Sequence, residues 1–375
     1  MTKLAFTTAA LLSLLSAGLA DAKGLTIGVV APVDGPFAIL GKQIMAGARA
    51  QAEAAGNTIL PVPESCAPET GVDVASRLIA GGASVAIGFL CADSLIGSAQ
   101  ALKDASIPAI TLSARSKVLF EDAVKHNWPI YSLSTRPGEE SSATADIIAG
   151  LWPNSGIALL DDGTLNSHEL AANIRLELEA KGLKPVLAEA YRPSLDNQKI
   201  LVRRLQKAGV STVYIAGARS DVATIARDAA GSGIVFMGGD QLIAADDGVA
   251  LPDGVLAVIP ERWRELPAAS GLVQALAEQN IVAEGYVLPA HAAAQIVDKA
   301  QGMVSDKQDL AASIAGGSFD TAVGTVTFAK DHFRAENVYR LMEWRGGLFQ
   351  PPANPSAPQA AQPAVQSTGK QGQTQ

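Results

Sequence analysis

The chain has 375 residues, a formal net charge of −8, 48% hydrophobic residues and only 5% aromatic ones. Such an acidic, aromatic-poor chain lacks the basic footprint of a nucleic-acid binder and the basic face of a membrane-surface protein. Its length suits about two domains, each with ample apolar material for a core.

The chain opens MTKLAFTTAALLSLLSAGLADA. Lys3 supplies a positive start, Leu4 to Leu19 is apolar and small, and Ala20-Asp21-Ala22 matches an A-x-A cleavage pattern. Residues 1–22 therefore read as a secretory signal peptide, with a retained N-terminal anchor as the competing reading. Their apolar core is short for a membrane span, and no lipobox-like Cys follows it. Removal takes Lys3 and Asp21 together, so the mature charge is unchanged.

Beyond Lys23, Val/Ile-rich runs alternate with helical patterns. LTIGVVAP (25–32) predicts a strand, and a helix follows over 38–55. Next come a helix over 70–81, the strand SVAIGFL (84–90), a helix over 94–104 and IPAITLS (107–113). The second half repeats the theme with GIALLDD (156–162), a helix over 166–181, a strand over 185–191 and a helix over 197–208. STVYIAG (211–217), a helix over 220–231, IVFMGGD (234–240) and GVLAVIP (254–260) continue it. Continuous apolar runs without alternation are how strands buried on both faces of a parallel sheet read. Two such series predict an α/β chain with two doubly wound parallel-sheet lobes. FDTAVGTVTF (319–328) and NVYRLMEWRGGLF (337–349) read as β-hairpins. From Gln350 the sequence turns rich in Pro, Gln, Ala and Ser, and residues 351–375 read as a disordered tail; a partner-reaching role is the alternative.

In an oxidising compartment the only two cysteines, Cys66 and Cys91, are read as one disulfide rather than a thiol active site. None of the four histidines has a spacing that points at Cys91. Closing that loop contributes about 3 kcal/mol on the chain-entropy model. The glycines of GVVAPVDGPFAILGKQ (28–43) form neither G-x-G-x-x-G nor a Walker A loop, so no nucleotide cofactor is indicated. No metal-ligand cluster and no G-x-S-x-G elbow occurs either. Asp161-Asp162 is either a paired-carboxylate site or a helix cap at a strand end; the cap is favoured, and no enzyme is predicted.

GVVAPVDGPFAILGKQIMAGARAQAEAAG resembles the opening of the periplasmic leucine/isoleucine/valine-binding protein family, the substrate-binding components of ABC importers. The Cys66…Cys91 pair, VAIGFLC with its polar loop, IPAITLSA, VYIAGARSDVATIARDAAGSG, FMGGD and FDTAVGTVTF follow in the family's order. The resemblance covers roughly 25–350 and implies a type I periplasmic binding fold whose chain crosses between lobes three times. Lobe 1 would be 23–134 and 260–328, and lobe 2 would be 135–259 and 329–350. The implied protein is periplasmic, monomeric and without cofactor. It would close by hinge motion on a small polar or zwitterionic ligand and deliver it to an ABC permease.

The resemblance also implies the ligand contacts Leu40, Asp93, Ser94, Ser113, Arg115 and Asp240. Where the family has hydroxyls after the second Cys and at the next strand end, this chain has Ala92-Asp93-Ser94 and Ser113-Ala114-Arg115. Leu165-Asn166 replaces a common Tyr-Gly pair. Arg115 offers a bidentate clamp for a carboxylate, and Asp240, with Asp93, a partner for an ammonium. Asp93 and Arg115 could instead pair with each other. Phe37 is either a cleft residue or helix-start packing, and His291 reads as a buried, hydrogen-bonded core histidine. The alternative function is a periplasmic sensor or assembly protein on the same fold that has lost amino-acid binding.

Overall fold

The computed structural model describes residues 24–352 except 68, 246 and 247; the predicted signal peptide and the tail beyond 352 lie outside these. In chain order the first part comprises β1 (Thr26–Ala31), α1 (Ala38–Ala54), β2 (Thr58–Pro63) and α2 (Thr70–Ala80). It continues with β3 (Val85–Gly88), α3 (Ala92–Asp104), β4 (Ala109–Thr111), α4 (Lys117–His126) and β5 (Ile130–Ser132). The five strands form one parallel sheet in the order β2-β1-β3-β4-β5. In β1, Ile27, Val29 and Ala31 face one core and Val30 the other, so the sheet is buried on both faces, as its unbroken apolar run predicts.

The second part runs α5 (Glu139–Leu151), β6 (Ile157–Asp161), α6 (Leu165–Ala180), β7 (Leu187–Ala190), α7 (Lys199–Lys207) and β8 (Thr212–Ala216). Then come α8 (Arg219–Asp228), β9 (Val235–Gly238) and β10 (Leu256–Pro260). The chain next forms α9 (Pro267–Glu278), α10 (Val287–Gln301), α11 (Leu310–Gly316) and the hairpin β11 (Ser318–Thr321)–β12 (Gly324–Thr327). These last five elements pack on the first sheet, sharing a core with β1, β3 and α1. The chain ends in β13 (Tyr339–Arg345) and β14 (Leu348–Gln350), joined by Gly346-Gly347. Both glycines have positive φ, which suits a two-residue hairpin turn.

The second sheet has the order β14-β13-β10-β9-β8-β6-β7, parallel from β7 to β10 with β13 and β14 added antiparallel at the edge. α7 and α8 cover one face, α5 and α6 the other. The chain thus passes between sheets after β5, after β10 and after β12. The strands of these passages are tied together: Ser132 N–H donates to the His332 carbonyl (2.9 Å), Glu261 N–H to that of Val338 (2.8 Å), and Arg136 Nε to Asp331 (2.8 Å). Among the described residues no helix is long and apolar enough to cross a membrane.

Candidate ligand-binding cleft

In an open parallel sheet the strand order reverses at a switch point, and the crevice outside the carboxyl ends there is where ligands sit. In the first sheet that point lies between β1 and β3. Out of β1 comes the turn to α1, where Leu40 is half-buried and Phe37 exposed rather than packed. Out of β3 come Gly88 and Phe89, both with positive φ, and then Leu90 to Ser94. A fully buried Phe in the left-handed region is uncommon and marks a loop held by its surroundings.

Two features hold that loop. Cys91 is bonded to Cys66, with Cα atoms 5.0 Å apart. Beneath it lies Glu64, just past β2 and only 4% exposed. Its carboxylate accepts the Leu90 N–H (2.6 Å), the Cys91 N–H and the Ser94 hydroxyl. Burial pushes the Glu64 carboxyl above its ordinary value, and the hydrogen bonds from Ser94, Leu90 and Cys91 only partly offset this. Sequence reading missed Glu64; its signal was a carboxylate two residues before a disulfide cysteine.

The predicted contacts divide into two groups. Ser94 is fully buried and spends its hydroxyl on Glu64 and on the Cys91 carbonyl (3.0 Å). Ser113 donates to the Leu90 carbonyl (2.9 Å). Both therefore brace the loop. Asp93, in the first turn of α3, and Arg115, beyond β4, are exposed. No ion pair joins Asp93 and Arg115; the guanidinium instead approaches Thr135 Oγ1 at 3.4 Å.

Asp240, exposed beyond β9 of the second sheet, begins a 3-10 turn (Asp240–Ile243). Its backbone N–H donates to the carboxylate of Glu140, in the first turn of α5. Burial and the neighbouring Asp240 push the Glu140 carboxyl up to about 7, against the pull of that N–H and of Arg115. Gly239 makes this approach possible. A Cβ there would stand 2.5 Å from Glu140 Oε1 and 2.8 Å from the Tyr214 hydroxyl. Both oxygens are buried without a hydrogen-bond partner. Burial, with Glu140 and Asp240 nearby, also raises the Tyr214 and Tyr339 phenols. A Gly239→Ala variant should displace Glu140 and lose about 1–2 kcal/mol in denaturant unfolding, from overpacking alone; an unchanged midpoint would mean that the side chains give way freely. Arg115, Glu140 and Asp240 thus form one electrostatic group spanning strand ends of both sheets. Sequence reading missed Glu140, although Pro137-Gly138 followed by Glu139-Glu140 is a helix-start signal.

The other candidates resolve plainly. Asp161 accepts the Gly163 N–H (3.0 Å), and Asp162 braces Thr164 through N–H and hydroxyl (3.0 and 2.7 Å). The side chain that caps α6 is Thr164, so the cap lies two residues beyond Asp162 and not on the predicted carboxylate pair. His291 is buried in α10 as predicted, but its Nδ1 has no hydrogen-bond partner, and burial pulls it down to about 4 against the opposing pull of Gln295. Among the described residues no group of three or more His, Cys, Asp or Glu side chains could hold a metal ion. A concavity of about 540 Å³ between α4 and the Lys330–Phe333 passage is lined by neither Arg115 nor Asp240.

The periplasmic binding protein family model matches residues 24–348. The chain belongs to the periplasmic binding protein family. This is a family of solute-binding proteins, not enzymes. A relative from Pseudomonas aeruginosa, the leucine-, isoleucine-, valine-, threonine- and alanine-binding protein, is 25% identical over 338 residues, 85% of this chain and 90% of its own. A crystal structure from Rhodospirillum rubrum superposes with TM-score 0.74 at 17% identity, covering 87% of this chain and 99% of that one. An ABC transporter substrate-binding protein from Desulfitobacterium hafniense in complex with Leu gives TM-score 0.61 at 16% identity, covering 87% and 99%. Both structures share the two-lobed fold of this periplasmic binding protein.

Proposed function

We propose that this protein is the extracytoplasmic solute-binding component of an ABC importer, taking a small polar or zwitterionic, amino-acid-like ligand into the cleft between its sheets. The observation that carries this is that Arg115, beyond β4 of one sheet and in contact with Thr135, acts electrostatically on Glu140, which Asp240 of the other sheet also faces. A ligand with a carboxylate and an ammonium satisfies both signs at once only when the lobes are shut, so it shifts the population toward the closed form. Leu40 supplies apolar wall and Asp93 a rim charge, while Ser94 and Ser113 position the loop. The lobe boundaries at 134/135, 259/260 and 328/329 place the hinge in the three passages between sheets. A named amino-acid specificity in one relative and a Leu complex in a structural neighbour support the ligand class.

One observation favours a second reading. The loop hydroxyls of Ser94 and Ser113 are committed within the protein, which suits a periplasmic sensor or assembly protein that has lost amino-acid binding. A thermal-unfolding screen of the mature protein against amino acids, amides and small carboxylates separates the two. A ligand at 100 times its Kd should stabilise the native state by about 2.7 kcal/mol. The shift should vanish in both Arg115→Ala and Asp240→Ala. Its survival in both would move the site elsewhere, and no shift across the panel would favour the second reading.

A further inference from the structure

Arg219 opens α8 and is only 6% exposed, an unusual place for a guanidinium. Its Nη1 donates to the Leu242 carbonyl (2.6 Å), and its Cζ lies 4.4 Å from the centre of the Trp344 ring. These contacts occupy one donor and one face. Nε is buried without a hydrogen-bond partner, Nη2 is neither bonded nor buried, and among the described residues no ion pair involves Arg219. A buried cation without a countercharge costs several kcal/mol unless something supplies one.

Arg219 lines a pocket of about 410 Å³ with Arg262, Leu242, Ile243, Trp344 and Phe349. None of the described residues lining it is acidic; Arg262, at the rim, pairs with Glu265 (2.7 Å) outside it. The pocket therefore combines a guanidinium edge with an unspent donor, a second cation and apolar, partly aromatic walls. A hydrated inorganic anion would lose its water here for too few donors, whereas a flat organic anion meets both the fork and the walls. A purely structural Arg219 would account for the Leu242 and Trp344 contacts but not for an accessible, unbonded Nη2 on a residue that lines a cavity.

We propose that this pocket is a second ligand site, taking a small planar organic carboxylate. The carboxylate engages the Nη2 end of Arg219, which neither the Leu242 bond nor burial takes up, and the flat body rests on Ile243 and Phe349 beside Trp344. The site is separate from the interlobe cleft, although Arg219 holds Leu242, two residues beyond Asp240, so both share one 3-10 turn.

The test is titration of the mature protein with benzoate, followed by tryptophan fluorescence. A saturable change is expected that Trp344→Phe removes and Arg219→Lys, which keeps the charge but loses the fork, weakens at least tenfold. Ile243→Asp, at a position 47% exposed and thus tolerant of substitution, sets a competing carboxylate at the mouth and should weaken benzoate at least tenfold as well. Benzyl alcohol should give no saturable change, and Arg115→Ala should leave the benzoate response intact. The proposal is overturned by an absent or non-saturable change, by its persistence in Trp344→Phe or Ile243→Asp, or by inorganic phosphate competing as well as benzoate. Loss of the response in Arg115→Ala would also overturn it, placing benzoate in the interlobe cleft instead.

Discussion

At pH 8 the Glu140→Gln variant is expected to be more stable than the natural protein, by up to about 3 kcal/mol, while at pH 4 the two should unfold alike. The Glu140 carboxyl is pushed from 4.5 up to about 7 by burial and by Asp240. The folded state therefore holds a proton that the unfolded state has released across pH 4.5–7. Stability from this group is fully present below 4.5 and is lost as pH rises through 7. Gln resembles the protonated acid and cannot ionise, so the variant should lack that loss. Denaturant midpoints measured from pH 4 to 8 decide it: parallel curves for the two proteins would show that Glu140 is not the titrating group. Asp240→Asn should move the Glu140 transition downward, because the neighbouring negative charge is one of its causes. The groups facing Glu140 are Asp240, Arg115, Tyr214 and Tyr339; the Asp240 N–H and Arg115 oppose the shift. In binding, a cationic ligand group should gain a second carboxylate partner above pH 7.

Glu140 was missed because the helix that carries it shows a start signal but no apolar stripe behind it. α5 buries Ser141, Ala143, Thr144, Ala145, Ile147 and Ile148, so small residues surround its axis and leave no apolar stripe to read. α10 is similarly buried around most of its circumference. β2 carries Pro61 and Pro63, which disguise it, yet it lies at the sheet edge where missing N–H groups are tolerated. β5 has only three residues, too few for a pattern. By contrast β1, β6 and β8 sit in sheet interiors, and burial on both faces gives the uninterrupted runs that made the α/β fold legible. The site divides similarly. Arg115 and Asp240 stood out because the family resemblance puts ligand contacts at those positions, with a charged residue at each. Which hydroxyls are free depends on partners distant in sequence: Ser94 is 30 residues from Glu64, and no local pattern records that bond.

Glu64→Ala should lower stability by about 3–5 kcal/mol. It would strip the acceptor from the Leu90 N–H, the Cys91 N–H and the Ser94 hydroxyl together, and each buried donor left unpaired costs about 1–3 kcal/mol. Water entering the vacated space recovers part of that sum. The disulfide does not substitute for the carboxylate. It tethers Cys91 to Cys66 but donates no acceptor to the backbone, which keeps Phe89 in its left-handed conformation. The loss should therefore appear with the disulfide intact, as a lower denaturant midpoint and faster amide exchange confined first to residues 89–94. Glu64→Gln should fall between, because one carboxamide oxygen remains to accept while its NH₂ confronts a donor. A loss below about 1 kcal/mol in Glu64→Ala would mean that the disulfide alone holds the loop. A full loss would make the buried carboxylate, rather than the sulfur bridge, the element that fixes the first-sheet side of the cleft.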